Sequence, residues 1–168
     1  TMSSLDNFNI LSKQVFEVCG LKCSQLEQEA ESSDYQAYSV RVNDKSVRYR
    51  HAKITPTKVG QFVTIWKRVG KNPIQPYDSS DDIDLFIVTV KNEDHYGCFV
   101  FPKSTLVKYG VFSVNGKGGK RAIRVYPPWD IVESKLAEKT QSWQSAYFAE
   151  IPSDKVIDIQ KFKSLYLS

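Results

Sequence analysis

The sequence predicts an α/β protein of the mixed α+β kind, folded as a single domain (residues 1–168) in which helices flank a central mixed β-sheet. The 168 residues match the usual length of one domain. A content of 41% hydrophobic and 12% aromatic residues is enough to form a core, which excludes an intrinsically disordered chain. Segments with a period of two residues alternate with segments whose apolar residues recur every three or four positions, so both strands and helices are expected.

Two helices are predicted in the first half of the chain. Apolar residues at helical intervals indicate a helix over residues 9–18, and Gly20 is its expected C-terminal cap. A second helix is predicted over residues 56–69, because Thr55 and Pro56 have the form of an N-cap followed by a first-turn proline. The polar face of this second helix carries Lys58, Gln61 and Thr64, with Lys67 and Arg68 in its last turn.

A β-hairpin is predicted between these two helices. Residues 36–42 and 46–53 alternate in side-chain character around turn-forming residues at 43–45. Because a strand has a period of two, Arg48 and Arg50 are expected to project together from one face of the second strand.

The second half of the chain is predicted to contribute most of the sheet. In order, we expect a surface loop at 70–82, strands at 83–90 and 96–101 joined by a turn at 92–95, a short helix at 104–109, a flexible glycine loop at 115–119, a strand at 122–126 and a long helix at 133–149. Residues 151–168 show no pattern that assigns them a type.

The charge distribution indicates a nucleic-acid partner, either DNA or RNA. Residues 41–71 contain nine basic residues against the single acid Asp44, and residues 99–124 contain six basic residues and no acid. Aromatic and amide residues are interleaved with these cations, as binding of phosphates and bases requires. The expected contact residues are Arg48, Arg50, Lys53, Lys58, Gln61, Lys67, Arg68, Lys117, Lys120, Arg121, Arg124 and Trp129. Trp143 and Tyr147 either stack on bases or pack in the core, and their spacing of four on one helical face favours the core.

Two other functions remain open at this point. A metal-dependent nuclease could use Asp84, Lys103 and one of Glu27, Glu29 or Glu31, but Phe101 stands where the usual pattern places its second carboxylate, so we expect no intact catalytic site. Alternatively, the basic segments bind an acidic protein. No metal site and no cofactor are expected, because the histidines and cysteines lack ligand spacing and the glycine loop lacks the P-loop pattern.

A cytoplasmic protein without a membrane partner is expected. No apolar run approaches the roughly 18 residues that a membrane span needs, and the first eight residues show no secretory signal pattern. The three cysteines cannot all pair within one chain, which favours a reducing compartment.

Four segments resemble the MepB family. They are RHAKITPTKVGQFVTIWKR at 50–68, GCFVFPK at 97–103, GKRAIRVYPPW at 119–129 and TQSWQSAYF at 140–148. The resemblance extends over about residues 27–148. It implies a bacterial protein with a mixed fold similar to that of restriction endonucleases and a role in nucleic-acid binding. The segments contain most of the cations that the charge distribution singles out.

Overall fold

The structure, a computed structural model, describes residues 4–24, 26–29 and 35–167. Its strands are β1 Glu27–Gln28, β2 Tyr38–Val42, β3 Lys45–His51, β4 Lys53–Thr55, β5 Lys58–Thr64, β6 Trp66–Lys67, β7 Gln75–Pro76, β8 Leu85–Asn92, β9 His95–Pro102, β10 Ala122–Val125 and β11 Phe148–Glu150. Its helices are α1 Ser4–Leu11, which continues as a π-helix over Ser12–Phe16, α2 Lys103–Lys108, α3 Lys135–Ser145 and α4 Ile159–Tyr166. None of the helices in these ranges is both long and apolar enough to span a membrane.

The central sheet has the strand order β1-β2-β3-β8-β9-β11 in the described part of the chain. The pairing of β3 with β8 is parallel and its other pairings are antiparallel, so the sheet is mixed, as predicted. Both predicted hairpins are confirmed. Asn43 adopts a positive φ in the turn between β2 and β3, and Glu93 does so in the turn between β8 and β9. The similarity to the restriction-endonuclease fold stays a prediction.

The central sheet is buried on both faces, because two apolar clusters pack against it. On one face the N-terminal helical segment and α4 contribute Phe16 and Phe162. On the other face a smaller sheet contributes Val63 and Val125, which pack with Phe99 of β9. All residues of the segment 85–90 are therefore buried, in keeping with its apolar sequence.

The smaller sheet corrects the helix predicted over 56–69. This region forms a turn at residues 56–57, then β5 and β6, and β5 lies between β10 and β4 in the smaller sheet. Val63 and Ile65 are buried while their neighbours Phe62 and Thr64 are half-buried, which is the period of a strand. Gly60 has a φ of +83°, a conformation that interrupts a right-handed helix.

The remaining helices differ from prediction mainly in their ends. Helix α2 and its terminating residue Gly110, at a φ of +73°, agree with the expected short helix. Helix α3 is shorter than the predicted 133–149, because residues 148–150 pair with β9 as strand β11. Residues 151–168 carry no assigned type in the sequence prediction, yet α4 lies there. Its N-cap is Asp158, whose carboxylate accepts a hydrogen bond from the Lys161 amide at 3.1 Å.

Candidate functional site

A cleft of about 510 Å³ lies between the smaller sheet and α3. We call it the aromatic cleft. Its lining residues are Phe62, Tyr109, Val111, Lys120, Ala122, Ile123, Arg124, Tyr126, Leu136, Lys139, Thr140, Trp143 and Gln144. The volume is within the range of roughly 300–1,000 Å³ that small-ligand pockets occupy.

The floor of the cleft is the outer face of the smaller sheet. Register places Lys53, Phe62 and Arg124 opposite one another across the three strands, so their side chains share a face. The opposite face carries buried residues such as Val63 and Val125 and packs on the core. Alternation along β5 and β10 therefore leaves a cation, an aromatic ring and a second cation in one row on the outside.

Hydrogen bonds hold the Arg124 guanidinium in place on this floor. It donates to Thr55 Oγ1 at 2.9 Å and to the carbonyl oxygens of Val59 and Gly60 at 3.4 and 3.3 Å. Its central carbon lies 5.8 Å from the centroid of the Phe62 ring. These three acceptors are neutral oxygens, so the hydrogen bonds position the guanidinium without bringing a negative charge next to it.

Gln144 fixes the α3 wall of the cleft to the edge of β10. Its side chain is 1% exposed, donates to the Arg124 carbonyl at 3.0 Å and accepts from the Tyr126 amide at 2.8 Å. The Gln144 amide thus makes the two backbone hydrogen bonds that a neighbouring strand would make at this edge. It sets the position of the other α3 side chains that face the cleft.

Aromatic rings form much of the remaining lining. Trp143 of α3 stacks on Tyr109, with ring centroids 4.2 Å apart and planes 5° from parallel, and it also contacts the core ring of Phe101 at 5.6 Å. The Tyr126 ring lies directly above Gly60, where a Cβ atom would approach it to 2.7 Å. Gly60 is thus required both for its positive φ and for the close approach of this ring.

The electrostatics of the aromatic cleft are of one sign. Lys120, Arg124 and Lys139 line it, and no acidic residue does so among the residues that the structure describes. Lys120 follows the glycine loop and Lys139 is on α3, so cations stand on both walls as well as on the floor. The structure therefore concentrates positive charge in a chain whose formal net charge is only +4.

Of the sequence-predicted residues, the structure brings Lys120 and Arg124 into the cleft and Lys53 into the adjoining row. Lys53 is exposed, and its Nζ lies 4.8 Å from the centroid of the Tyr35 ring. Sequence reasoning missed Lys139 as a contact residue. Lys139 lies one turn before Trp143 on a predicted helix, so the sequence already indicated that the two side chains share a helix face.

The expectation that Arg50 is exposed is wrong. Arg48 and Arg50 do share a face, but both point toward Glu29. Arg50 is fully buried and donates to both Glu29 carboxylate oxygens at 2.8 and 3.2 Å, with Tyr49 O at 3.0 Å as a further acceptor. The Tyr77 hydroxyl donates to the same carboxylate at 3.0 Å. Burial of a guanidinium requires such partners, so Arg50 is part of the core.

The expectation that Gln61 is exposed is also wrong, and Lys67 is paired with an acidic residue. Gln61 lies on the core face of β5, is 2% exposed, and donates to the Lys91 carbonyl at 3.2 Å. Lys67 is half-buried and forms an ion pair with Asp81 at 2.7 Å. Arg68, by contrast, is exposed and donates to the Asn72 carbonyl.

Lys58 and Trp129 lie in a second depression, outside the aromatic cleft. It has a volume of about 470 Å³ between the β4–β5 hairpin and the turn that precedes β9. The half-buried Trp129 ring stacks on His95, with centroids 4.8 Å apart. Asp130 also lines it, and burial raises the pKa of this carboxyl while a hydrogen bond from the Gly60 amide opposes the rise. This depression contains charges of both signs.

Asp78 anchors the glycine loop at 115–119. Its carboxylate accepts hydrogen bonds from the Gly116 amide at 3.0 Å and from Ser113 Oγ at 2.7 Å, which lower its pKa well below the ordinary range. Lys117 in this loop and Arg121 after it are both exposed. The loop is thus held by the protein at one carboxylate while its basic side chains face solvent.

The residues of the nuclease hypothesis are engaged in other contacts. Asp84 accepts from the Ser46 amide at 2.8 Å, and Lys103 Nζ donates to the carbonyls of Ser79 and Asp81 at 3.1 and 2.6 Å. Glu27 is exposed on β1, Glu29 pairs with Arg50, and Glu31 lies outside the described residues. Within the ranges that are described, no group of three or more histidine, cysteine, aspartate or glutamate side chains is placed to hold a metal ion.

Trp143 and Tyr147 both pack against the core, as their spacing on the helix favours. Tyr147 is half-buried, and its hydroxyl accepts from Thr105 Oγ1 at 2.9 Å, beside the ring of Phe101. Trp143 packs on the same Phe101 ring and also lines the aromatic cleft.

Comparison with known proteins identifies relatives over most of the chain. A family model described as MepB-like matches residues 29–150. A crystal structure of MepB is 32% identical in sequence and superposes with a TM-score of 0.75, over 89% of this chain and 98% of that one. No curated protein is significantly similar to the chain.

Proposed function

Because the chain belongs to the MepB-like family and gathers cations around one aromatic cleft, we propose that it binds nucleic acid through the phosphate backbone at that cleft. The observation that carries the proposal is the lining itself. Lys120, Arg124 and Lys139 stand on its floor and walls, and no acid accompanies them among the described residues.

The arrangement supports polyanion binding for an electrostatic reason. Cations that surround a concave, partly apolar surface reinforce one another's field, and the low-dielectric walls focus it. Each phosphate that a lysine or arginine neutralises releases condensed counterions, which supplies much of the binding free energy. Lys53 extends the basic surface beyond the cleft, since it shares the row of Phe62 and Arg124 on the outer sheet face.

The proposed activity is binding without hydrolysis. Glu29 is engaged by the buried Arg50, and Phe101 lies in the apolar core where the nuclease pattern places a carboxylate. Both observations support a binding protein over a metal-dependent nuclease.

We place the activity in the cytoplasm, because Cys19, Cys23 and Cys98 are free thiols and a reducing compartment keeps thiols reduced.

The experiment is a salt series. The affinity of the protein for labelled DNA and RNA fragments is measured by fluorescence anisotropy at increasing salt, for the wild type and for a Lys120→Ala, Lys139→Ala variant. Loss of two phosphate contacts is expected to reduce the slope of log affinity against log salt by about 1.4 on single strands and about 1.8 on duplex. Lys22→Ala, Lys155→Ala is the matched control, because these exposed lysines lie outside the cleft.

Three results would contradict the proposal. These are an affinity that does not change with salt, an equal loss of slope in the control variant, and binding to polyglutamate without binding to any polynucleotide. The last result would instead favour an acidic protein as the partner.

A further inference from the structure

We propose that the aromatic cleft receives unpaired bases, so that its substrate class is single-stranded nucleic acid. This inference rests on the proposed function and narrows it. The residues that carry it are the aromatic side chains Phe62, Tyr109, Tyr126 and Trp143, which the phosphate contacts alone do not require.

The shape of the cleft favours a flexible strand over a duplex. Duplex DNA is read by an element that projects into a groove, such as a helix or a β-ribbon. The cleft is instead concave, and its volume of about 510 Å³ is that of a pocket for one small ligand. Paired bases are stacked within the helix, so they present no free face to the rings at the bottom of a cleft. Unpaired bases do.

The chemistry of the lining matches the two parts of a nucleotide. Bases stack on aromatic rings and on guanidinium planes, and stacking tolerates any base because every base has a π-face. Tyr109 is 37% exposed at one side of the cleft, and one face of its ring stacks on Trp143. Lys108 Nζ lies over the ring, 5.3 Å from its centroid, so a base that stacks on Tyr109 would displace this flexible cation toward the phosphates. Arg124 lies over Phe62 on the floor and offers a planar cation of the same kind.

Cations on opposite walls suit a backbone that crosses the cleft. Lys120 precedes β10 and Lys139 belongs to α3, so phosphates on either side of a bound base would each find a lysine. Leu136, also on α3, is 77% exposed and extends the apolar surface of that wall. A single nucleic-acid strand that enters along one wall and leaves along the other would therefore place its phosphates at the lysines and a base at the aromatic rings.

The test compares single strands with duplexes of the same sequence. We measure the affinity of the wild type, Tyr109→Ala and Tyr109→Phe for an oligodeoxythymidine, for a mixed-sequence single strand and for its duplex, at one fixed salt concentration. Loss of one stacked base is expected to lower the ratio of single-strand to duplex affinity by about 5-fold to about 150-fold in Tyr109→Ala. Tyr109→Phe keeps the ring and is expected to keep the ratio.

An independent measurement uses tryptophan fluorescence. Trp143 supports the ring on which a base would stack, so oligodeoxythymidine is expected to quench the fluorescence of the wild type, and the Trp143→Phe variant is expected to lose most of that quenching. The inference is overturned if duplex binds as tightly as single strand, or if Tyr109→Ala weakens both equally. It is also overturned if free thymidine monophosphate binds as well as the oligonucleotide. Absence of binding to every polynucleotide would instead refute the proposed function.

Discussion

Replacement of Arg50 by alanine is expected to destabilise the fold, although the sequence places this residue in the most basic part of the chain. Arg50 is fully buried, and its guanidinium is bound by the Glu29 carboxylate, by Tyr49 O at 3.0 Å and by the Tyr77 hydroxyl at 3.4 Å. It also lies over the ring of Phe86. Removing it leaves the Glu29 carboxylate without its principal cation and opens a cavity.

The magnitude follows from the burial of the two partners. Breaking a buried ion pair by removing one partner costs about 3–5 kcal/mol. The Glu29 side chain is 22% exposed, so water recovers part of its solvation. We therefore expect a loss of about 2–4 kcal/mol in the free energy of unfolding. For a domain of this size each kcal/mol changes the melting temperature by about 2–4 °C, which gives a decrease of about 5–15 °C.

The assay is urea denaturation together with thermal melting, and Lys53→Ala is the matched control. Lys53 lies three positions along the chain but is exposed, so its removal is expected to cost less than about 1 kcal/mol. Glu29→Gln combined with Arg50→Ala is expected to cost less than the sum of the single changes, because the two residues are in contact. A decrease of less than about 2 °C for Arg50→Ala would refute the account of Arg50 as a core residue.

Three further predictions concern pH dependence and conformation. Burial lowers the pKa of His51 to about 4 from 6.5, so the unfolded state binds a proton at a higher pH than the folded state does. The free energy of unfolding is therefore expected to fall by about 3 kcal/mol between pH 6.5 and 4. Equilibrium unfolding of the His51→Asn variant should not show this loss. Asp78 has a lowered pKa, so the stability that its ionised carboxylate gives the fold is present above about pH 4 and is lost as the pH falls further. Asp78→Ala should increase amide hydrogen exchange in the glycine loop at neutral pH. Unchanged exchange would contradict the anchoring role of Asp78. Gly60→Ala should lower the free energy of unfolding by about 2–4 kcal/mol, because it adds backbone strain and a clash with Tyr126, and it should weaken oligonucleotide binding. Gly20 also has a positive φ but has nothing within 4 Å of an added Cβ atom, so Gly20→Ala should cost only about 1–2 kcal/mol. Equal costs for the two variants would contradict the packing described for Gly60.

The sequence predicted those elements whose signal is local. The two hairpins of the central sheet were found because alternation and turn residues coincide in each of them. The segment 56–69 was misassigned because Val59, Phe62, Val63 and Trp66 also fit a helical period, and the neighbouring strand that decides the matter, β10, is about sixty residues away. Helix α4 carried a usable signal, since Asp158 precedes apolar residues at spacings of three and four.

The candidate site was predicted in part, and for a physical reason. Charge can be counted along a sequence, so Lys120 and Arg124 were identified as cations of a basic segment. Burial depends on partners that are distant in the chain, and nothing near Arg50 indicates that Glu29 neutralises it. Lys139 belongs to a segment of mixed charge, so charge counting passed over it, although it stands on the cleft wall.

The most direct test of nucleic-acid binding at the aromatic cleft is a lysine footprint. The rates at which an acylating reagent modifies each lysine are measured by mass spectrometry with and without a bound single-stranded oligonucleotide. We predict that the rates at Lys120 and Lys139 fall on binding, while those at the exposed Lys22 and Lys155 stay unchanged. Unchanged rates at Lys120 and Lys139 under conditions where the oligonucleotide is bound would contradict binding at this cleft.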